Sequence, residues 1–461
     1  MEVLSLQLAR NSIDPTKYWE DGDFLTWQFA SELTETYDLA TTVEDDLIYW
    51  HNGRTWSRFG EQTLRGEIRS LLRDTANREL VNEVVRNVKH QTRSRRVDIF
   101  DLPPEKLVVE NGVVNLIQGE FTPLSDVSAP GTRTWLDVEY KSEAVPERFN
   151  DFLFDVLRPE DVSIMWELIG YCLYRGYPFQ KAALMLGQGS NGKSTLLNAI
   201  QEFLGTGQEK LVDNVSNAEL QTLAKDRFAA AGLEGKLANI AADLSDHELK
   251  YTGKFKELTG EDRIRVQRKH QDPFPLVNQA TLIFSANEPP SAEDDTYAYE
   301  RRWLYFDFPH TFGQEGEKEA VPQAELLEQF RKEHSGILNM AIEAFSRLWA
   351  RGGFEETVYQ REHDDAHERA TNPAHTFAKD MIEPKEGAVL RQQDALTAFE
   401  DWCDANGKTF QGEQALKRTI RKAHHPDEGT DPQDGRYKAW FDVALVEEND
   451  EASGDQDVTG Y

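Results

Sequence analysis

The chain has 461 residues, among them 10 Trp and 24 Phe, so it can bury a sizeable core and general disorder is excluded. Acidic residues outnumber basic ones 82 to 51, for a net charge of −31. Two distant cysteines, Cys172 and Cys403, cannot build a disulfide framework or a zinc ribbon, and no stretch approaches the ~18–20 apolar residues a membrane-crossing helix needs.

The acid excess runs through every segment, a pattern that matches proteins of a very salty cytoplasm. The opening residues, MEVLSLQLARNSID, lack the basic start of a secretion signal. The expectation is a soluble, cytoplasmic protein of two to four domains, at roughly 100–200 residues each.

In chain order, residues 1–140 mix short aromatic strands (DLIYWHNGRTWSRF) with helical patterns (TLRGEIRSLLRDTANRELVNEVVRNVKH). LVVENGVVNLIQGEFTPLS, from 107, reads as strand, Asn-Gly turn and strand, with a second turn at Gly119. Residues 146–176 read as two amphipathic helices. From 181 to about 310 apolar strands alternate with helices, the signature of an α/β layer with a mainly parallel sheet. Residues 335–353 form an amphipathic helix with Ser335 as its N-cap. A charged helical linker, 354–376, precedes a small domain, 377–445, read as helix, helix and a short strand, YKAWFDVAL. An acidic tail, 446–461, has the composition of a disordered segment.

Within 181–310 the stretch LMLGQGSNGKSTLLNAI fits G-x-x-x-x-G-K-[ST] with a strand before it and a helix after it. Gly187, Gly189, Asn191 and Gly192 allow backbone N–H groups to wrap phosphates, and the helix start adds partial positive charge. Lys193 is placed to reach the β- and γ-phosphates. Ser194, followed by Thr195, is placed to ligate Mg²⁺. The implied cofactors are ATP and Mg²⁺.

GKLANIAADLSD, 235–246, is an apolar strand ending at Asp243, the second metal ligand; a strand-capping aspartate would read the same. Asp246 and Glu248 are candidates for orienting water, and the residue before Asp243 is Ala242. QATLIFSANEPP, 279–290, is another buried strand. It ends at Asn287, an amide able to sense the γ-phosphate or simply to favour the turn before two prolines. Arg301 and Arg302 precede a further strand. Either guanidinium suits a transition-state phosphate, or a salt bridge to a neighbour such as Glu300, and the sequence does not choose between them.

Taken together, these motifs resemble the superfamily 3 helicases, AAA+-related ring ATPases. More narrowly, they are similar to the helicase half of poxvirus-type and phage/plasmid-type primase-helicases. ENGVVNLIQGEFTPLS, LTGEDRIRVQRKH, LIFSANEPP and SGILNMAIEAFSRL fit that group. The resemblance spans about residues 40–445. It implies a P-loop ATPase core at 141–353, an α+β or helical amino-terminal domain (1–140) that aids ring assembly, and a winged-helix-like domain at 377–445. It also implies a homo-hexamer acting on single-stranded or forked DNA, with ATP between subunits.

The resemblance places a channel hairpin at IRVQRKHQDPF, with Lys269 and His270 at its tip and Arg268 beside them, so that the basic run of an acidic chain meets phosphate. A solvated hairpin is the plainer reading. Lys254 and Lys256, one helix earlier, rank behind them.

The basic run 86–96 reads as a solvated face or a contact at the ring's entrance. In the last domain GEQALKRTIRKAHH suits a recognition helix, with Lys417, Arg418, Arg421 and Lys422 on DNA. His363 and His367 stand i, i+4 but lack a third ligand. Adjacent acids in VEDDLIYW, 43–50, have no surrounding polymerase pattern. No primase activity is therefore expected, and a separate primase is an implied partner. The expected activity is ATP-driven DNA unwinding in the replication of a virus or plasmid of a salt-adapted prokaryote. The alternative is an origin-binding or packaging factor whose ATPase only switches assembly.

Overall fold

The computed structural model describes residues 13–127, 130–205, 213–242, 244, 252–269, 272–287, 297–313, 320–362, 372–410 and 412–446. The chain divides into two compact units, 1–358 and 359–461. The first 140 residues therefore share a unit with the α/β layer.

In the first unit, helix α1 (Thr26–Thr36) is followed by strands β1 (Leu39–Thr42), β2 (Ile48–His51) and β3 (Trp56–Ser57). Helices α2 (Gly60–Leu72) and α3 (Arg78–Gln91) lead to β4 (Arg93–Ser94). The sheet runs β3-β2-β1-β4. Its core is the set the helical periodicity marks: Leu64 and Ile68 of α2 and Val81, Val84, Val85 and Val88 of α3 pack with Phe29, Leu33 and Trp50. Asn77 caps α3 by accepting from Leu80 N at 2.8 Å.

A second sheet follows from β5 (Lys106–Val109), β6 (Gly112–Asn115), β7 (Phe121–Pro123) and β8 (Trp135–Leu136), in the order β8-β5-β6-β7. Val109 pairs with Gly112, so the first turn is Glu110–Asn111, one residue earlier than the Asn-Gly reading.

Two helices precede the parallel layer. In α4 (Glu147–Val156) one face is buried, and Glu333 accepts from the first N–H groups, Arg148 N at 3.0 Å and Phe149 N at 2.9 Å. Helix α5 (Val162–Leu173) is not amphipathic: 11 of its 12 residues are buried, and its Glu167 is held by Arg351 at 2.5 and 3.0 Å. A Cβ on Gly170 would overlap Ala341 O, so glycine is what lets two helices cross this closely.

The layer itself contains β9 (Ala182–Leu186), α6 (Lys193–Leu204), β10 (Val215–Ser216) and β11 (Ala238–Ala241). Helix α7 (Thr252–Thr259) leads to an antiparallel hairpin, β12 (Arg263–Val266) and β13 (Phe274–Val277), then β14 (Thr281–Ala286) and β15 (Trp303–Asp307). The sheet order is β10-β11-β14-β9-β15, with every pairing parallel. Every residue of its three central strands is buried, as expected of a parallel sheet covered on both faces. Helices α8 (Gln323–Lys332) and α9 (His334–Arg351) close the unit. Ser335 is not the cap of α9: the helix begins at His334, and Ser335 Oγ donates to Glu139 O at 2.7 Å.

The second unit contains α10 (Pro373–Met381), β16 (Ile382–Arg391), α11 (Gln392–Ala405), α12 (Glu413–His424), β17 (Asp427–Thr430) and β18 (Lys438–Leu445). Its sheet order is β16-β18-β17. Phe377, Phe399, Leu416, Ile420 and Trp440 form a core of its own. The ten-residue strand β16, absent from the sequence reading, is thus an essential part of the unit. No helix among the described residues is long and apolar enough to cross a membrane.

Candidate functional site

The loop 187–192 leaves the carboxyl end of β9, the second strand from one edge of the sheet. Gly187 has φ +145 and Gly192 φ +90, both outside the range of other L-residues. A Cβ on Gly187 would overlap Asn191 Nδ2, and one on Gly192 would lie 2.6 Å from Val156 Cγ1. Helix α6 begins immediately after, at Lys193.

The Lys193 side chain is buried. Its ammonium donates to Gly187 O, to Gln188 O at 3.4 Å and to Asn191 Oδ1 at 3.3 Å. Asn191 Nδ2 is buried without a partner among the described residues. Ser194 is exposed in the first helical turn, and Thr195 Oγ1 accepts from Gln323 Nε2 at 3.4 Å. A buried ammonium beside the loop, an unsatisfied amide and a helix start bring several donors together, and the chemistry of that set fits a polyphosphate.

Beside this cradle opens a cleft of about 270 Å³, lined by Phe152, Val156, Thr195, Phe312, Val321 and Leu326. These residues come from separate segments, and no spacing in the sequence links them. Arg148, Asp155 and Ser190 line it as well, so the slot beside the loop is part apolar and part polar.

The neighbours of β9 decide what else reaches the loop. Leu186 pairs with Ala286, so Gly187 and Asn287 leave the sheet at one level, and Asn287 is exposed there. Asp243 lies outside the described residues, as do Asp246 and Glu248. The strand leading to Asp243 ends at Ala241, opposite Phe284, and Leu244 N donates to Ser285 O at 2.7 Å.

Arg301 and Arg302 stand at the other end of the sheet. Ala182, the first residue of β9, pairs with Trp303 and donates to Arg302 O. The two arginines are therefore one strand length, about 16 Å, from the loop of their own chain. They also differ from each other. Arg302 is buried, and burial pushes its guanidinium below its ordinary pKa. Arg301 is exposed and donates to Gln180 Oε1 at 2.9 Å. Next to them, burial pushes the Lys181 ammonium down to about 8, with Glu356 opposing and Arg301 reinforcing the shift. The burial of Lys181, whose ammonium donates to Trp303 O at 3.2 Å, has no signal in the sequence beyond a lysine directly before an apolar strand.

The hairpin places Lys269 in its turn, exposed and with no partner among the described residues. His270 lies outside them. Arg268 departs from the expectation of a DNA contact. Its guanidinium bonds Glu234, lies 3.3 Å from Asp45 and stacks over Phe274 at 4.4 Å. Arg96 reaches the same two carboxylates, Asp45 at 2.5 Å, and Arg133 reaches Glu234 at 2.6 Å. Three guanidiniums thus surround two carboxylates, tying the hairpin to the amino-terminal region. Burial holds the guanidiniums of Arg133 and Arg268 below their ordinary pKa.

Most of the basic run 86–96 is likewise spent internally: Lys89 on Asp46 and Glu61, Arg95 on Asp98, and Arg96 as above. Lys254 pairs with Glu257 at 2.9 Å. On α12, Lys417 pairs with Glu413 at 2.5 Å and Arg421 with Glu428 at 2.6 Å, which leaves Arg418 as the exposed cation without a partner among the described residues. His363 and His367 lie outside the described residues. Among the described residues no group of three His, Cys, Asp or Glu could hold a metal.

Residues 12–158 match a family model described as D5 N terminal like, and residues 185–302 match a family of unknown function, DUF5906. A Sputnik virophage protein described as "Putative helicase V13" is 20% identical over 356 residues, 74% of this chain and 43% of that protein. The chain thus spans less than half of this relative's length. Among solved structures, two apo structures of the NrS-1 C-terminal region (305–718) are similar at a TM-score of 0.45, with 14% and 12% identity. They cover 94% of this chain, and 99% and 100% of the respective structures.

Proposed function

We propose that the chain is an ATP-driven DNA helicase of the D5-like primase-helicase type, acting in viral or plasmid replication as a hexameric ring. The observation that carries this reading is the sheet. The phosphate cradle and Asn287 sit at its carboxyl edge, and Arg301 stands exposed at its amino edge. An arginine that cannot reach its own cradle suits the nucleotide of a neighbouring subunit.

The strand order, with the cradle strand between β14 and β15, supports an AAA+-like core. The order helix, strand, helix, helix, strand, strand supports a winged helix in the second unit. The match to the D5 N terminal like model and the likeness to the virophage protein agree with replication work.

In this reading Lys193 and the N–H groups of 187–194 bind the triphosphate. The cleft beside Phe152 and Phe312 takes the base, and Asn287 orients water. Ser194 and Asp243 would hold Mg²⁺, which supplies charge neutralisation between the outer phosphates. Arg301 of one subunit stabilises charge developing on its neighbour's nucleotide. The turn carrying Lys269 and His270 grips the strand. The charge of −31 suits a saline host, where loose electrostatic capture fails because the Debye length is only about 3 Å at molar salt. A closed ring retains DNA by threading instead.

A strand-displacement assay tests this. Lys193→Ala is expected to lose ATP hydrolysis, and Lys269→Ala to hydrolyse ATP without unwinding. A wild type that hydrolyses ATP yet separates no strands at any salt would leave the assembly-switch reading in its place.

A further inference from the structure

The segment GRTWSRFG, 53–60, has no role in the reading above. Its Phe59 is 58% exposed, among the most exposed large apolar side chains described. The Arg58 guanidinium lies over that ring at 5.2 Å and has no acidic partner among the described residues. In a chain with 31 more acids than bases, an unpaired arginine on a bare aromatic ring stands out.

The corner is not isolated. A cleft of about 200 Å³ runs from Arg58 and Phe59 past Asn214 and Lys236 to Arg133 and Glu234. A second, of about 490 Å³, starts from the same Arg133 and Glu234 and is lined at its far side by Pro275–Val277, the second hairpin strand. The two clefts share Arg133, Glu234 and Gly235 and so lie next to each other between the hairpin and Phe59. The cations there crowd one another: Lys236 feels Arg58 and Arg133, and Arg268 feels Arg133 and Arg96. Among the side chains lining the two clefts, five are cations (Arg58, Lys236, Arg133, Arg96 and Arg175) and two are acids (Asp213 and Glu234). The lining is therefore net positive in an acidic protein. Asn52, Thr55 and Ser57 add uncharged hydrogen-bonding groups at the Phe59 end.

We propose that these adjoining clefts are a second binding site for single-stranded DNA, in which Phe59 stacks on a base and Arg58 meets the adjoining phosphate. The proposal rests on the nucleic-acid reading of the hairpin and extends it from the channel turn onto the amino-terminal region. Stacking on an aromatic ring tolerates any sequence, because every base has a π-face, and an arginine beside the ring adds a phosphate contact. The site would hold the strand a short distance from Lys269 while that hairpin moves.

The test uses the full chain and a fluorescein-labelled oligothymidylate, with binding measured across a salt series. Phe59→Ala is expected to lose about tenfold in affinity, and Phe59→Trp to restore it. Arg58→Ala is expected to flatten the log–log salt slope by about 0.7, the share of one phosphate on a single strand. Mass photometry and melting temperature are expected to match wild type in all three. Wild-type affinity and slope in Phe59→Ala and Arg58→Ala would overturn the proposal. So would a loss of affinity that tracks a loss of assembled mass, which would assign Phe59 to a neighbouring copy. Lys269→Ala separates the two levels. If it loses binding while Phe59→Ala does not, the hairpin reading stands and the second site falls. If wild type binds no single strand, both fall.

Discussion

The charge cluster at the base of the hairpin makes a quantitative contrast. Glu234 has a side chain only 6% exposed and accepts from Arg96, Arg133 and Arg268. Glu234→Gln leaves three guanidiniums around the single carboxylate of Asp45, and Arg133 loses its carboxylate partner. Breaking a buried pair from one side costs about 3–5 kcal/mol. Arg268→Met acts in the opposite sense. It leaves Arg96 and Arg133 against Asp45 and Glu234, two charges against two, and the methionine keeps apolar contact with Phe274. The expected cost is about 1 kcal/mol or less, because an apolar side chain of similar volume replaces the surplus charge of a buried cluster. Thermal unfolding followed by scanning calorimetry should show Glu234→Gln melting roughly 5–10 °C below wild type. Arg268→Met should melt within about 2 °C of it. Equal drops in the two variants would refute the charge-balance argument, because Arg268 would then be as necessary as the acid it contacts.

Other outcomes follow from the same geometry. Arg301→Ala should bind ATP normally and hydrolyse it at least a hundredfold more slowly. Mixing it with Lys193→Ala chains should restore phosphate release, since each supplies what the other lacks; additive inactivity would exclude a shared site. Arg302→Ala should instead lower stability, read as a melting shift, because that side chain is buried. Gly192→Ala places a Cβ 2.6 Å from Val156 at φ +90, so nucleotide affinity measured by calorimetry should fall at least tenfold. For Lys181, burial sets a folded pKa of about 8 against an ordinary 10.5. Between those values the unfolded chain holds a proton the folded chain has released, so stability should rise with pH across that window, by at most ~3 kcal/mol. Denaturation midpoints should show the rise in wild type and lose it in Lys181→Met.

The Gly-rich loop between strand and helix was legible because its information is local. A strand, two glycines with positive φ, a lysine and a helix lie within some 24 consecutive residues, and each has a sequence signature. The hairpin was expected from the resemblance to superfamily 3 helicases rather than from a local signature, and β12 and β13 do pair antiparallel. What escaped is non-local. Arg268 meets Asp45, 223 positions away, and nothing in RIRVQRKHQ distinguishes an arginine bound to a distant acid from one facing solvent. The cleft beside the loop joins Phe152 of α4 to Phe312 and Leu326 near the end of the unit. Strand β16 was missed because its residues are mostly exposed and lack alternation, and because it carries Pro384, Gly387 and a register shift between Pro384 and Val389. Helix α5 was misread as amphipathic because its two polar residues, Ser163 and Glu167, suggest a wet face; Arg351 neutralises the glutamate inside. Burial distinguishes Arg302 from the exposed Arg301, a difference that adjacent identical residues cannot reveal in a sequence.

The separation of Arg301 from the cradle of its own chain bears on how such a protein is governed. If Arg301 serves a neighbour's nucleotide as proposed, a solitary chain would carry a fuel socket and a spark at opposite ends of one sheet. Turnover per chain would then climb steeply as the protein is concentrated and fade on dilution. Abundance alone would act as the throttle, and idle copies would spend nothing until enough of them had gathered.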